Sequence, residues 1–338
     1  MTHPLLPASF TAAVCLLCLS GTASAQCEVD GDVEFVCGPI SPEDLIEIPD
    51  TPWVLVSSME DDGYLSATDT RNLQSTRLFP LPTSQPRHDA ATYGACGNMT
   101  PTQFRPHGVS LRSGTNNHHT LYVVRHGARE SVEVFDVDAD GEATPTLTWV
   151  GCAIAPDGLG LNAVVPLPGG GFAATSPSTG DIWEWHSDEG WTRVPGSEAI
   201  GPNGLEIAAD GRWYYVAGYA AQSVIRLSRG QTPARKETVA NVGFFIDNVH
   251  WAPDGDLLAA GHSAPERSGV GACIRDGACA GVASHVAKVD VETGASTEVF
   301  TYPSNEHLIL GTGAIQVGDE IWVGGVGGGT RIARVPVP

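Results

Sequence analysis

The chain has 338 residues, with 39 acidic against 18 basic side chains and a net charge of −21 at pH 7. An acid surplus of that size excludes a nucleic-acid-binding face, which needs a basic surface to replace phosphate counterions. With 42 % apolar residues, 40 Gly and 24 Pro, the composition also excludes a disordered chain and favours many short strands joined by tight turns.

The first predicted element is a signal peptide over residues 1–25. Leu5 to Ser20 is mostly apolar, and Ala23-Ser24-Ala25 forms a small-x-small cleavage site with the cut after Ala25. The apolar run is too short and too broken to span a membrane. The expected product is a secreted or periplasmic chain whose residues 26–338 form a single domain. Cys15 and Cys18 leave with the signal. Cys27, Cys37, Cys96, Cys152, Cys273 and Cys279 remain, an even set that export directs toward disulfides. Close spacing favours Cys27–Cys37 and Cys273–Cys279, which leaves Cys96 with Cys152. Among these six, no CxxC pair supports a zinc site.

The rest of the chain is a succession of short runs rich in Val, Ile, Trp, Tyr and Leu. Trp53-Val-Leu-Val56, Leu121-Tyr-Val-Val124, Trp213-Tyr-Tyr-Val216 and Ile321-Trp-Val323 are examples. Six times such runs flank a turn of small or acidic residues, beginning at Asp50, Gly114, Gly169, Asp210, Asp254 and Gly318. A four-stranded propeller blade needs roughly 40–50 residues, and these turns are spaced to match once inserted loops are allowed. The prediction is an all-β chain folded as a six-bladed β-propeller. A β-sandwich would not repeat one frame six times. Two long insertions, near Pro82–Thr102 and Ser263–Ser284, hold cysteines and are expected to act as tethered covers around the central mouth. Asn98-Met-Thr100 is a glycosylation triplet of a kind frequent by chance.

Seven positions before each turn stand Glu43, His107, Asn162, Asn203, Asp247 and Gly311. The innermost strand of a blade lines the central channel, so residues at one phase of successive blades meet on the axis. Singly, an Asn or Asp there would cap a turn. Glu43, Asn162, Asn203 and Asp247, with the adjoining Asn248, together offer carboxylate and amide oxygens and no thiolate. That set suits Ca²⁺, which accepts irregular oxygen ligation, better than Mg²⁺. His107 holds the axial place of the second unit, and His126 ends a strand of the same unit. A hairpin between them would bring two imidazoles beside the metal, where one could take a proton from water.

Ser41-Pro-Glu-Asp-Leu-Ile-Glu-Ile-Pro49, Phe104-Arg-Pro-His-Gly-Val-Ser110, Val123-Val-Arg-His126, Leu161-Asn162, Asn203-Gly204 and Ile246-Asp-Asn-Val249 resemble, in order, motifs of the serum paraoxonase/arylesterase family. That family consists of calcium-dependent six-bladed propeller hydrolases. The resemblance implies that Glu43, Asn162, Asn203, Asp247 and Asn248 hold a catalytic calcium. It implies that His107 and His126 form a proton-relay dyad and that His262 lies near the substrate cavity. For a second calcium it implies Asp44 and the carbonyl of Val109, but Ala163 stands where the family has an acidic ligand. It also implies a disulfide from the N-terminal segment to the C-terminus, yet no cysteine follows Cys279, so closure would rest on strand pairing or Cys37 would pair with Cys27. The expected activity is exported, calcium-dependent hydrolysis of a small ester or lactone. Two rivals are a sugar lactonase of the gluconolactonase type and a non-catalytic binding propeller with a structural calcium.

Overall fold

The computed structural model describes residue 1 and residues 27–338. The expected signal peptide and its cleavage site lie outside the described residues. Six four-stranded antiparallel sheets succeed one another along the chain, so the fold is the expected six-bladed β-propeller. The innermost strands of blades 1 to 6 are Pro42–Glu47, Phe104–Arg112, Val164–Pro166, Pro202–Ile207, Phe245–Trp251 and Gly311–Val317. Each blade then builds outward strand by strand. Blade 6 takes its outermost strand from the other end of the chain, Glu34–Cys37, which pairs with Arg331–Pro336. Strand pairing therefore closes the ring, and Cys37 bonds Cys27. Cys96–Cys152 and Cys273–Cys279 are the other two disulfides among the described residues, the pairing expected.

The sheets hold together because their alternating apolar residues fill the gaps between blades. Trp53, Leu55, Leu65 and Ala67 of blade 1 meet Phe104, Leu121, Val123 and Phe135 of blade 2. A similar cluster fills each of the next four gaps. The closing seam is equally dry, with Leu45, Val54 and Val56 against Ile315, Trp322 and Ile332. Full burial of one such side chain stabilises the ring by roughly 1.5–3 kcal/mol.

What positions the axial residues is a repeated irregularity. Register slips on the innermost strands fall between Pro42 and Asp44, Pro106 and Val109, Pro202 and Leu205, Ile246 and Val249, and Gly311 and Ala314. A bulge breaks strand alternation and re-aims a side chain. The residues opening these bulges are Glu43, His107, Asn203, Asp247 and Thr312. In blade 3 the strand begins just after Asn162, whose N–H bonds Thr175 O at 3.1 Å. The seven-residue phase thus finds the axial residue in five blades and misses by one in the sixth. There Val317 pairs directly with Glu320, and this tighter hairpin moves the axial place from Gly311 to Thr312.

The next residue along is glycine in blades 2, 4 and 6. A Cβ on Gly108 would stand 2.5 Å from Asn162 O, one on Gly204 would stand 2.6 Å from Asn248 Cα, and one on Gly313 would stand 2.9 Å from Glu43 O. Each glycine lets its blade press backbone to backbone against the next at the axis.

The first insertion does not cover the mouth. Arg87 N–H bonds Trp149 O and Asp89 N–H bonds Val150 O, so the segment lies along the outer strand of blade 2, where Cys96 is tied to Cys152. The second insertion carries a helix, Arg267–Asp276. It rises beside the axial end of blade 5 and sets the Arg267 guanidinium 5.5 Å from the Tyr219 ring centre in blade 4.

Candidate active site at the propeller axis

Four oxygen-bearing side chains and one imidazole converge where the bulges aim them. Glu43 is fully buried. Its Oε1 accepts the Asn248 Nδ2 hydrogen at 2.8 Å and lies 3.4 Å from His107 Nε2. Asn162 turns its Nδ2 toward His107 Nε2, also at 3.4 Å. Asn203 lies beside Asp247 and favours its ionised form. Thr312, which sequence reasoning left out, donates its hydroxyl to Glu43 O at 2.7 Å and so braces the carboxylate's backbone.

Three buried oxygens in this cluster have no hydrogen-bond partner: Glu43 Oε2, Asn162 Oδ1 and Asn203 Oδ1. A buried polar atom left unpaired costs about 1–3 kcal/mol, so three together at one point call for a ligand. Burial and the adjacent Asp44 charge raise the Glu43 carboxyl well above its usual range. Burial, then the Glu43 charge, pushes Asp247 up to about 8. Two carboxylates that resist ionising side by side are in want of a cation. The donor set of carboxylate and amide oxygens fits a hard divalent ion. Among the described residues, no three His, Cys, Asp or Glu side chains form a metal cluster; the fit here draws on amides.

The histidines form a chain. His107 Nδ1 is 2.8 Å from His126 Nε2, and His126 Nδ1 is 2.7 Å from Glu130 Oε2. Glu130 is held by its other oxygen, which accepts the Leu161 N–H at 2.6 Å. A carboxylate only accepts, so His126 carries its proton on Nδ1 and its Nε2 accepts from His107 Nδ1–H. His107 Nε2 is then left with its lone pair, and it is the nitrogen facing Glu43 and Asn162. Burial lowers the His107 pKa, opposed by Asp247 and Asp44, which keeps that lone pair free at neutral pH. Glu130 escaped the sequence reading; its signal was its place four residues after His126, across the Gly127 turn.

His262 is buried, with its Nδ1 3.9 Å from Asp247 Oδ2. Its Nδ1 bonds Gly311 O at 3.2 Å and its Nε2 accepts the Tyr219 hydroxyl at 2.8 Å. Burial depresses its pKa to about 4, so it stays neutral and serves as a prop. Tyr219, stacked on Phe245 with centroids 5.2 Å apart, is the aromatic surface that remains partly open beside Asp247.

Asp44 is engaged in another way than a metal ligand would be. Its Oδ1 accepts Leu45 N–H at 2.9 Å and His250 Nε2–H at 2.7 Å, and its Oδ2 accepts Val109 N–H at 2.8 Å. The Val109 group that meets Asp44 is the N–H, not the carbonyl. His250 Nδ1 lies 3.3 Å from Glu206 Oε1. Burial disfavours the His250 cation, but the Asp44 and Glu206 carboxylates outweigh it and raise His250 to about 10. Asp44, Val109 and Ala163 therefore do not fit a second calcium.

No protein-family profile matches the chain. Over 207 residues it is 25 % identical to human serum paraoxonase/lactonase 3, a stretch covering 56 % of this chain and 58 % of that protein. A gluconolactonase from Xanthomonas campestris shares the fold with a TM-score of 0.56 at 13 % identity, over 90 % of this chain and 89 % of that one. A luciferin-regenerating enzyme superposes with a TM-score of 0.55 at 11 % identity, covering 90 % and 94 %. The calcium-binding regucalcin of Agrobacterium tumefaciens does so with a TM-score of 0.53 at 12 % identity, covering 89 % and 90 %. These matches agree with the resemblance carried by the sequence motifs.

Proposed function

We propose that the chain is an exported hydrolase of small lactones and related esters, dependent on one divalent cation, calcium by its donor set. The observation that carries this reading is the meeting of a proton relay with three partnerless oxygens at one point. Glu43, Asn162, Asn203, Asp247 and Asn248 would hold the ion. When bound, calcium supplies a Lewis acid that polarises a carbonyl and stabilises developing negative charge.

The chain's own residues supply the rest. The His107 Nε2 lone pair takes a proton from water as that water attacks the carbonyl carbon, and returns it to the leaving alkoxide when the acyl C–O bond breaks. The positive charge gained by His107 is shared through its Nδ1–H with His126, and Glu130 stabilises it from the far end. Asn162 orients His107 through its amide. Tyr219 and Phe245 offer an apolar wall for the acyl or leaving group, with the hydroxyl of Tyr219 fixed by His262.

A purely binding propeller with a structural ion would need no relay, and a sugar lactonase relying on carboxylates would not depend on His107. A panel of lactones and aryl esters, assayed with and without chelator, tests the reading. Turnover should vanish with chelation and return with calcium, and His107→Gln should lower kcat by about 10²–10⁴, the usual span for a general base. Full turnover in chelator would overturn the metal role. An unimpaired His107→Gln variant would favour carboxylate chemistry.

A further inference from the structure

We propose that blade 5 carries a second hydrolytic centre that needs no metal. Ser263 is its nucleophile, His285 the base that activates it, and Glu298 the carboxylate that positions the base. Its substrates are small activated esters, met at the rim between blades 4 and 5 and not on the axis.

Three neighbouring strands of blade 5 supply one residue each: Leu257–Ser263, Ala283–Val289 and Ser296–Pro303. Ser263 stands opposite Ala283, and His285 lies two residues farther along, opposite Thr301. Ser263, His285 and Thr301 therefore share one sheet face. Leu257, Ala259, Ala287 and Val289 continue that face and pack against Tyr215, Ala217, Val224 and Ala240 of blade 4. Strict alternation would send Glu298, three residues before Thr301, to the other face. A register slip prevents it, because Val286 pairs with Phe300 but Ala287 pairs with Glu298. The extra residue, Val299, turns Glu298 back toward the side of His285. The device that aims the axial side chains is thus used once more, away from the axis.

Ser263 Oγ lies 2.8 Å from His285 Nε2, and His285 Nδ1 lies 2.9 Å from Glu298 Oε2 and 3.0 Å from Thr301 Oγ1. A carboxylate only accepts, so the ring proton sits on Nδ1 and Nε2 offers its lone pair to the Ser263 hydroxyl. A serine–histidine bond alone is common; hydroxyl, imidazole and carboxylate in this order are what activates a serine. Phe244 stacks on the imidazole with centroids 5.1 Å apart and fixes the ring. Ser263 and His285 are each only part buried. Beyond Ser263 the chain enters the helix Arg267–Asp276, whose first turn folds back until a Cβ on Gly269 would stand 3.4 Å from Ala264 Cβ. The N–H groups of Arg267 and Ser268 in that turn have no acceptor among the described residues and are the donors available to a developing oxyanion. In acylation the Oγ–C bond forms as the hydroxyl proton passes to Nε2; the ester C–O bond then breaks and the departing alkoxide takes that proton. Water next gives a proton to Nε2 and attacks the acyl carbon, and Ser263 Oγ leaves and recovers the proton.

The centre is read in chelator, so it stands or falls apart from the axial site. The whole chain is treated in EDTA with a fluorophosphonate reporter, which an activated serine captures as the Oγ–P bond forms and fluoride leaves, and the adduct is mapped by peptide mass spectrometry. The adduct should sit on Ser263, and His285→Gln should slow its formation by about 10²–10⁴. No adduct, an adduct on another serine only, or an unslowed His285→Gln variant would overturn the inference. Should that variant not fold, native and urea-unfolded wild type are compared: labelling of Ser263 in the native chain alone supports the centre, and equal labelling overturns it. Glu298 acts through His285, so its variant is read by pH. Of the titratable groups beside the ring, Glu298 and His262, only Glu298 favours the imidazolium. Glu298→Gln should therefore slow labelling more than about tenfold and lower the pH at which the rate is half its maximum; an unmoved profile would overturn the relay.

Discussion

Replacing Glu130 by Gln would exchange one oxygen for an NH₂ and reverse the direction of the whole relay. The Leu161 N–H at 2.6 Å accepts no substitute for an acceptor, so the Gln oxygen stays there. Its NH₂ must then face His126 Nδ1, which becomes an acceptor and sends its proton to Nε2. His107 is driven to keep its proton on Nε2, the atom that should be bare. Loss of the charged hydrogen bond alone is worth about 1.5 kcal/mol for partners that are partly exposed, roughly tenfold in rate. The reversed tautomer adds at least roughly another tenfold, so kcat should fall by about 10² or more. KM should hold, because Glu130 lies behind both histidines. Calcium affinity should also hold, because the Leu161 anchor beside Asn162 is retained. The assay is steady-state hydrolysis of whichever lactone or ester proves to be turned over, with melting and calcium titration as controls. A variant keeping kcat within about threefold would refute the assigned proton directions.

Metal-free protein should lose stability as pH rises. Asp247 is held at about 8 by burial and Glu43, against about 3.9 in an unfolded chain, so the folded state binds the extra proton between those values. That stability is full near the unfolded pKa and is lost as pH rises through about 8. Melting in chelator should therefore drop from pH 5 to pH 8, and calcium should abolish the drop; a flat or rising profile would contradict it. In blade 2, Glu133 accepts from Arg125, Arg129, Ser131 and Trp149. Glu133→Ala would strand the buried Arg125 and cost about 3–5 kcal/mol, a fall in Tm of roughly 6–10 °C. A shift under about 2 °C by calorimetry would mean that Arg125 finds another partner.

The fold was legible because a propeller writes itself into sequence as a spacing. Turns such as Asp210-Gly211 and Asp254-Gly255 recur at blade length, and apolar runs between them alternate as strands must. The axial residues were legible for the same reason, since a fixed count back from a turn lands on a bulge. That count failed at Thr312, where the hairpin is shorter and nothing local announces it. Glu130, Glu206, His250 and Tyr219 were missed for a different reason. Each gains its meaning from a partner on another strand or blade, as His250 does from Asp44. Spacing along one chain reports which residues share a phase, but not which of two charges 206 positions apart will touch. His250 did leave one trace: it stands two residues past Asn248, and strand alternation returns it to the same face.

The glycines at 108, 204 and 313 tie the size of the ring to the size of its centre. At three of six junctions the blades have closed until main chain meets main chain, so the perimeter has no slack left to give. The donor oxygens hang from that same main chain on short side chains. The perimeter and the spacing of the axial oxygens are consequently one dimension, set by all six seams at once. For the cation site proposed above, selection of an ion by size would then be a property of the whole hoop. A seam repacked far from the axis would be read there as a wider or narrower bore.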